Sequence, residues 1–153
     1  MIIEKRLGGR WRAINQRGIS QSIIRFLADR TGERVDEIED GYEYPNTRPL
    51  ITVEQMQNNY EYNVKNREAV EATYRFQIGL HTEYLFERKD LQEVVADLFI
   101  FEDIPHYRAD EVVGFFSVEV TSIMPMPADE ISRHSKRHTV YLDVEIQSIK
   151  RRR

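Results

Sequence analysis

The sequence contains no cysteine and no long apolar run, and each absence excludes whole classes of protein. Without cysteine there can be no disulfide framework, thiolate zinc site, iron–sulfur cluster or cysteine nucleophile. The longest apolar stretches are as short as Leu98–Phe101, whereas a helix that crosses a bilayer needs about 20 apolar residues. Charged residues begin at Glu4, directly after Met1-Ile2-Ile3. We therefore expect neither a secretory signal peptide nor a membrane span.

Glycine is also scarce, with seven residues in the chain, and only Gly8 and Gly9 are adjacent. A nucleotide-binding loop needs clustered glycines before a helix, and no Gly-Lys-Ser or Gly-Lys-Thr step occurs. We expect no nucleotide cofactor.

The four histidines do not form a metal motif. His134 and His138 have helical spacing, but basic neighbours such as Arg133 would repel a cation, and no third ligand is obvious. His81 falls on the polar face of a predicted strand and His106 in an acidic loop. We expect both to be surface residues and the protein to hold no metal.

Carboxylates are plentiful, but they do not suggest catalysis. Most lie beside one another in loops, where neighbouring exposed acids offer no contrast in pKa for acid and base roles. Asp143 and Glu145 share one face of the last predicted strand, as in a nuclease, yet Gln147 stands where a lysine is expected. The residues therefore predict no catalytic set, and we expect a protein that is not an enzyme.

The N-terminal part predicts a helix from Ser20 to Arg30, because apolar residues recur there with helical spacing and Gly18 marks a break before it. Residues 1–18 are expected to form an arm that orders against a neighbouring molecule. Residues 33–47, rich in acids and turn formers, predict a loop, and residues 50–53 open a strand.

The middle of the chain predicts a strand pair and a second helix. Residues 57–67 are expected to form a long hairpin tip, and strict alternation over 70–81 is typical of a strand with one buried face. Asp90 and Glu93 are placed as a helix capping pair. The helix itself is predicted from four apolar residues with the spacing of one helical face: Leu91, Val94, Val95 and Leu98.

The last third predicts an acidic loop at 102–112 and two alternating strands at 116–120 and 140–147. The length of 153 residues fits a single domain. The element order then predicts an α+β fold: a four-stranded, mainly antiparallel sheet with two helices on one face, in the order α-β-β-α-β-β.

Charge is unevenly distributed along the chain. Residues 1–34 carry a formal charge of +5, residues 35–119 one of −12 and residues 120–153 one of +3. Such asymmetry suits contacts between unlike surfaces of neighbouring copies or partners, although the runs could equally be solvated faces.

The element order over about residues 20–149 resembles the tail terminator proteins of tailed bacteriophages. The resemblance rests on a strand opening at a Pro-apolar step (48–53), the alternating strand after it, the helix at 90–98 and the final alternating strand. It implies a structural virion protein in the tail or neck, assembled in the host cytoplasm. Such proteins form a hexameric ring that caps the tail tube, fixes tail length and joins the tail to the head-completion complex.

The same resemblance implies the partners: a second copy in the ring, the tail-tube protein, the head-completion or neck protein and, in contractile tails, the sheath protein. DNA passes through the lumen without sequence-specific binding. The chain differs from the family in its longer N-terminal arm and its loop at 124–137. The arm, the hairpin at 57–67 and this loop are expected to make the contacts. The candidate interface residues are Arg10, Trp11, Arg12, Arg17, Tyr60, Tyr62, Arg67, Met124, Met126, Arg133, Lys136, Arg137, Arg151, Arg152 and Arg153.

Two alternatives remain open from the residues. The basic termini, ending in Lys150-Arg151-Arg152-Arg153, could belong to a small nucleic-acid-binding or nuclease-like protein. A pocket beneath the aromatic strands could instead bind a small molecule. The acidic centre weighs against a free DNA-binding protein.

Overall fold

The computed structural model describes residues 3–7, 10–13, 16–62, 69–126 and 138–151, with side-chain positions for 18–62, 69–126 and 138–149. Those residues form two helices and ten strands. In chain order the elements are β1 (Ile3–Leu7), β2 (Arg10–Ala13), α1 (Gln16–Thr31), β3 (Arg34–Glu37), β4 (Leu50–Gln55), β5 (Asn59–Tyr62), β6 (Ala69–Thr82), α2 (Leu85–Phe101), β7 (Ile104–Arg108), β8 (Glu111–Phe116), β9 (Glu119–Pro125) and β10 (His138–Arg151).

The main sheet has six strands in the order β3-β4-β6-β10-β9, with β5 also paired to β6. Only β3 and β4 run parallel, so the predicted α+β class with two helices and a mostly antiparallel sheet is confirmed. The predicted four strands and the order α-β-β-α-β-β are wrong. Two pairs, β1 with β2 and β7 with β8, form separate two-stranded sheets.

The centre of the sheet is the long antiparallel pair of β6 and β10, which runs from Ala69 opposite Arg151 to Thr82 opposite His138. The predicted alternation is confirmed in both strands, because alternate residues are buried on the side that faces the helices. The buried set comprises Ala72, Tyr74, Phe76, Ile78, Leu80, Val140, Leu142, Val144 and Ile146.

Both helices contribute to one core on this face of the sheet. Ile19, Ile23 and Leu27 of α1 are fully buried, and Phe99 of α2 joins the same cluster. Each such side chain contributes roughly 1.5–3 kcal/mol to folding by leaving water. The other face carries the polar alternates of the strands, and the chain between β3 and β4 lies against part of it.

Helix α1 begins earlier than predicted and does not break at Gly18. It runs without interruption from Gln16, since one glycine costs about 1 kcal/mol in a helix and the adjacent Ile19 is fully buried. It ends where Gly32 adopts a positive φ of 72° and donates its N–H to the carbonyl of Ala28. Ahead of it, the predicted arm contains the hairpin of β1 and β2.

Two segments predicted as loops contain strands. Within 33–47, β3 pairs in parallel with Leu50–Val53, and its Val35 packs against the core. Within 102–112, β7 and β8 form a hairpin that docks on α1, where the Tyr107 N–H donates to Oγ of Ser22 at 3.0 Å. Strands β3 and β7 have too few apolar residues to give a recognisable period, and the apolar residues of β8 do not alternate with polar ones.

Helix α2 starts at Leu85, five residues before the predicted capping pair, and its N-cap is Tyr84. Asp90 and Glu93 therefore lie inside the helix, and the capping prediction is wrong. Val94, expected on the buried face, is 48% exposed, whereas Val95, Ala96 and Phe99 are buried. The prediction assigned part of the wrong face of the helix to the core, because apolar residues occur on both of its sides.

The strand predicted at 116–120 is interrupted. Strand β8 ends at Phe116 and β9 begins at Glu119, with Ser117 and Val118 between them. Met124 and Pro125, predicted to open a long loop, belong to β9, and residues 127–137 of that loop lie outside the described residues.

Candidate functional site

Helix α2 has apolar side chains on both of its sides, which is unusual for a helix at a protein surface. Its buried side faces the sheet, and its outer side exposes Phe86 by 65% and Phe101 by 79%. Charged residues such as Lys89 and Asp90 are exposed on the same helix, so its outer side is mixed rather than wholly apolar. Exposed apolar side chains of this size still suit a second surface that covers part of the helix. The exposed apolar side chains of this helix are Leu85, Phe86, Val94, Ile100 and Phe101.

Beside the end of α2 lies an open groove of about 670 Å³. Ile100 and Phe115 line one part of it, and the chain from Phe116 to Val120 faces Glu145–Ser148 of β10 across it. We call this feature the β10 groove. Its lining includes the carboxylates of Asp103, Glu119 and Glu145 and no lysine or arginine. An acidic, apolar-lined groove next to an apolar helix is suited to a protein partner.

The carboxylates of the last strand take part in hydrogen bonds across the sheet. Oε1 of Glu145 accepts from Nε of Arg75 at 2.8 Å. Asp143 accepts from Gln77 at 3.2 Å and from Oγ of Ser122 at 3.0 Å. Partners of this kind make the two acids part of the strand pairing, and no observation here favours the nuclease-like alternative.

The candidate interface residues at the start of the chain fall on the hairpin and on α1. Arg10, Trp11 and Arg12 belong to β2, and Arg17 lies in the first turn of α1. Among the residues that the structure describes, the two strands of the hairpin pair with each other and with no strand of the main sheet.

The remaining described candidates lie at two separate ends of the sheet. Tyr60 and Tyr62 are exposed on β5. Tyr62 pairs with Val70 of β6, and the neighbouring Ala69 pairs with Arg151, so the tyrosines lie at the same end of the sheet as Arg151. Met124 is also exposed and pairs with Tyr141 of β10. Along β10 this position is about nine residues, or ~30 Å, from the end of the sheet that carries Tyr62.

The structure therefore does not bring the candidates into one surface. Met126 directly follows β9, and its N–H donates to the carbonyl of Thr139. Six candidates lie outside the described residues: Arg67, Arg133, Lys136, Arg137, Arg152 and Arg153.

Both histidines expected at the surface are buried, so that expectation is wrong. His81 is 5% exposed and His106 is 4% exposed. His106 packs beside the ring of Phe116, with ring centroids 6.3 Å apart. The period of a strand assigns a side chain to one face, but it does not reveal whether a loop covers that face.

His81 is held between two threonine hydroxyls. Its Nε2 lies 2.9 Å from Oγ1 of Thr52 and its Nδ1 lies 3.2 Å from Oγ1 of Thr139. Tyr44 and Tyr141 pack edge-on to the imidazole at centroid distances of 5.4 and 6.1 Å. Burial, and then the nearby Arg48 guanidinium, lower the pKa of His81 to about 4.

This cluster fastens the chain between β3 and β4 to the outer face of the sheet. Burial is also the main cause that raises the pKa of Tyr44 and of Tyr141. A neutral imidazole with both nitrogens engaged and almost no solvent access is suited to packing. We assign the cluster a structural role.

Two partly exposed basic side chains of α1 lie against carboxylates. Arg25 lies 3.6 Å from Asp110, and Arg30 forms an ion pair with Glu102. Within the described ranges no group of His, Asp and Glu is arranged to hold a metal ion. None of the helices in the described part is long and apolar enough to cross a bilayer.

Comparison with models of known protein families and with curated proteins gives no match to the chain.

Proposed function

We propose that the protein is a ring-forming structural component of a phage virion, of the tail-terminator kind. The observation that carries the proposal is the outer side of α2, where Phe86 and Phe101 are largely exposed. The two side chains lie at opposite ends of the helix, about 22 Å apart along its axis. Exposed apolar side chains of this size are costly in water and suit a surface that is covered in an assembled complex. The phage assignment itself comes from the resemblance in element order.

The arrangement of edges favours a head-to-tail contact. The main sheet ends in β9 on one side and in β3 and β5 on the other, so its two edges are different surfaces. A contact between unlike surfaces of identical copies closes into a ring when the rotation between them fits. Oppositely charged regions of one chain can join in the same way, with the N-terminal region basic and the centre acidic.

In this role the ring, a hexamer, caps the tail tube and contacts the head-completion protein on its other side, with the sheath as a further partner in contractile tails. DNA crosses the lumen without sequence readout. The protein resides in the virion tail or neck after assembly in the host cytoplasm. It acts by binding and by stopping tube growth, with no catalytic step.

The test is the oligomeric state of the purified full chain, measured by native mass spectrometry and light scattering over a range of concentrations. The measurements are made with and without the tail-tube protein of the same genome. A closed ring of one stoichiometry, or one formed on adding tube protein, supports the proposal. A chain that stays monomeric under both conditions would overturn it.

Salt-dependent binding of duplex DNA by that monomer would favour the nucleic-acid alternative instead.

A further inference from the structure

Among the described residues, about half of one edge of β10 has no partner strand. Strand β9 pairs with Val140–Glu145, and from Ile146 to Arg151 the only partner of β10 among the described residues is β6. The register between β9 and β10 shifts at Asp143 and Val144, and Ser117 and Val118, which precede Glu119, are outside the sheet. A free strand edge exposes backbone donors and acceptors that readily pair with another strand.

The β10 groove lies along this free edge. Its apolar lining from Ile100 and Phe115 continues the exposed side of α2. Ser148 is buried at its base, and its Oγ has no hydrogen-bond partner in the part of the chain that the structure describes. Buried hydroxyls are nearly always hydrogen-bonded, so this Oγ indicates a polar partner that the single chain lacks.

The hairpin of β1 and β2 is a two-stranded sheet with no further strand among the described residues. Isolated two-stranded hairpins are marginally stable in water and gain stability by adding to a larger sheet. Only residues 14 and 15 separate this hairpin from α1, which lies over β3 and β4 rather than over β10. Strand β1 has five residues, close to the six residues of the free edge.

Charge also matches the hairpin to the groove. The two hairpin strands contain four basic residues and one acidic residue. In the groove, Glu119 stands directly opposite Glu145 on the neighbouring strand, and like charges in that position destabilise a sheet. Arg75 neutralises Glu145, but no ion pair joins Glu119 to another described residue. A basic strand would supply the missing positive charge.

We infer that the hairpin of one copy adds as an extra strand to the free edge of β10 in a second copy. The occupant of the β10 groove is therefore an identical chain. The inference rests on the proposed ring and names the contact that joins its subunits. It makes β1 or β2 the seventh strand of the neighbouring main sheet.

The chain has no cysteine, so single cysteines can report this contact without background. Lys5→Cys or Arg6→Cys is introduced in β1, because successive strand residues point to opposite faces. Gln147→Cys is introduced at an exposed position in the groove. The hairpin variant and the groove variant are coexpressed as full chains, oxidised mildly and analysed for disulfide-linked dimers, while light scattering follows assembly.

We expect one hairpin variant with Gln147→Cys to form more linked dimer than a control pair in which Asp40→Cys, an exposed site between β3 and β4, replaces Gln147→Cys. Assembly without this excess of dimer overturns the hairpin contact and leaves the ring intact. Monomers without any cross-link overturn both. A single chain that carries both the hairpin cysteine and Gln147→Cys is a further test, and a link within its own monomer overturns the second copy as occupant.

Charge provides an independent arm of the same experiment. Glu119→Lys is expected to slow formation of the linked dimer several-fold, and so is added salt. The matched control, Glu111→Lys, makes the same charge change at an exposed site on β8 and is expected to leave the rate unchanged. Equal effects of both substitutions would contradict the assigned charge pairing.

Discussion

The imidazole of His81 occupies the space beside Gly79 that any other residue would fill. A β-carbon built on Gly79 would stand 2.7 Å from Nε2 of His81 and 2.4 Å from Oγ1 of Thr52. It would also lie 3.2 Å from a ring carbon of Tyr141. The missing side chain of Gly79 therefore allows the bond between His81 and Thr52 to form across the strand.

Gly79→Ala is accordingly expected to destabilise the fold by about 1–3 kcal/mol, as overpacking of a filled site usually does. The free energy of unfolding in urea measures the loss. In a Thr52→Ala background the same substitution should cost less, since the nearest of the three contacts is gone. An equal cost in both backgrounds would show that the contact with Thr52 does not limit the site.

The buried, neutral state of His81 makes stability depend on pH. The pKa of His81 is about 4 in the folded chain, against about 6.5 in an unfolded one. The unfolded state therefore binds the proton first as pH falls. The stabilisation is full above about pH 6.5 and is lost as pH falls towards 4, a change of order 3 kcal/mol.

Urea unfolding at several pH values between 4 and 7 measures this slope. His81→Gln removes the titrating group and keeps a side chain that can hydrogen-bond, so its stability should vary less across that window. If the wild-type chain and the variant lose stability in parallel from pH 6.5 to pH 4, His81 is not the group responsible.

The His81 cluster also illustrates what the sequence predicts and what it does not. Strands β6 and β10 were predicted because their apolar residues alternate over many positions, and the core face follows directly. The same pattern placed His81 on the polar face correctly, but it could not reveal that Tyr44 covers that face. Covering depends on the path of a loop, which has no period.

The β10 groove could not be predicted for a related reason. Phe115 and Ser148 are far apart in the sequence, and they line one groove where β9 begins at Glu119 and leaves the rest of β10 without that partner. The point where such a pairing ends is set by tertiary packing. Short strands such as β3 and β7 were missed because each contains too few apolar residues for alternation to be counted.

Tyr42 also holds the chain between β3 and β4 in place, through a contact with Asp36. Its hydroxyl donates to Oδ2 of Asp36 at 2.8 Å, while Nε of Arg34 donates to Oδ1 at 3.0 Å. Burial first, and then the Asp36 carboxylate, raise the pKa of Tyr42 to about 12. Burial alone would raise the pKa of Asp36, but hydrogen bonds from Arg34 and Tyr42 outweigh it and lower that pKa.

Tyr42→Phe is therefore expected to lower the free energy of unfolding by about 1–2 kcal/mol at pH 7, because a hydrogen bond to a charged acceptor is lost. Because the pKa of Asp36 is lowered in the folded chain, its carboxylate stabilises the fold above the pKa that Asp36 has in the unfolded chain. This stabilisation is lost as pH falls through the pKa of the folded chain. The cost of the substitution should thus shrink in acid. Tyr84→Phe removes an exposed hydroxyl and serves as the control; equal losses from both would contradict the role of Asp36.

A substitution on the outer side of α2 is expected to weaken assembly without weakening the fold. Phe101 is 79% exposed in the single chain, so Phe101→Lys should change the free energy of unfolding of the monomer by no more than about 0.5 kcal/mol. A lysine near the helix C-terminus is also favoured by the helix dipole. The buried apolar contact in the assembly would, however, be replaced by a charge without a partner, so self-association measured by light scattering should fall sharply. Glu111→Gln makes the same change in charge at an exposed position of β8, outside α2, and should leave association intact. Unaltered association of Phe101→Lys would show that this side of α2 stays open in the complex.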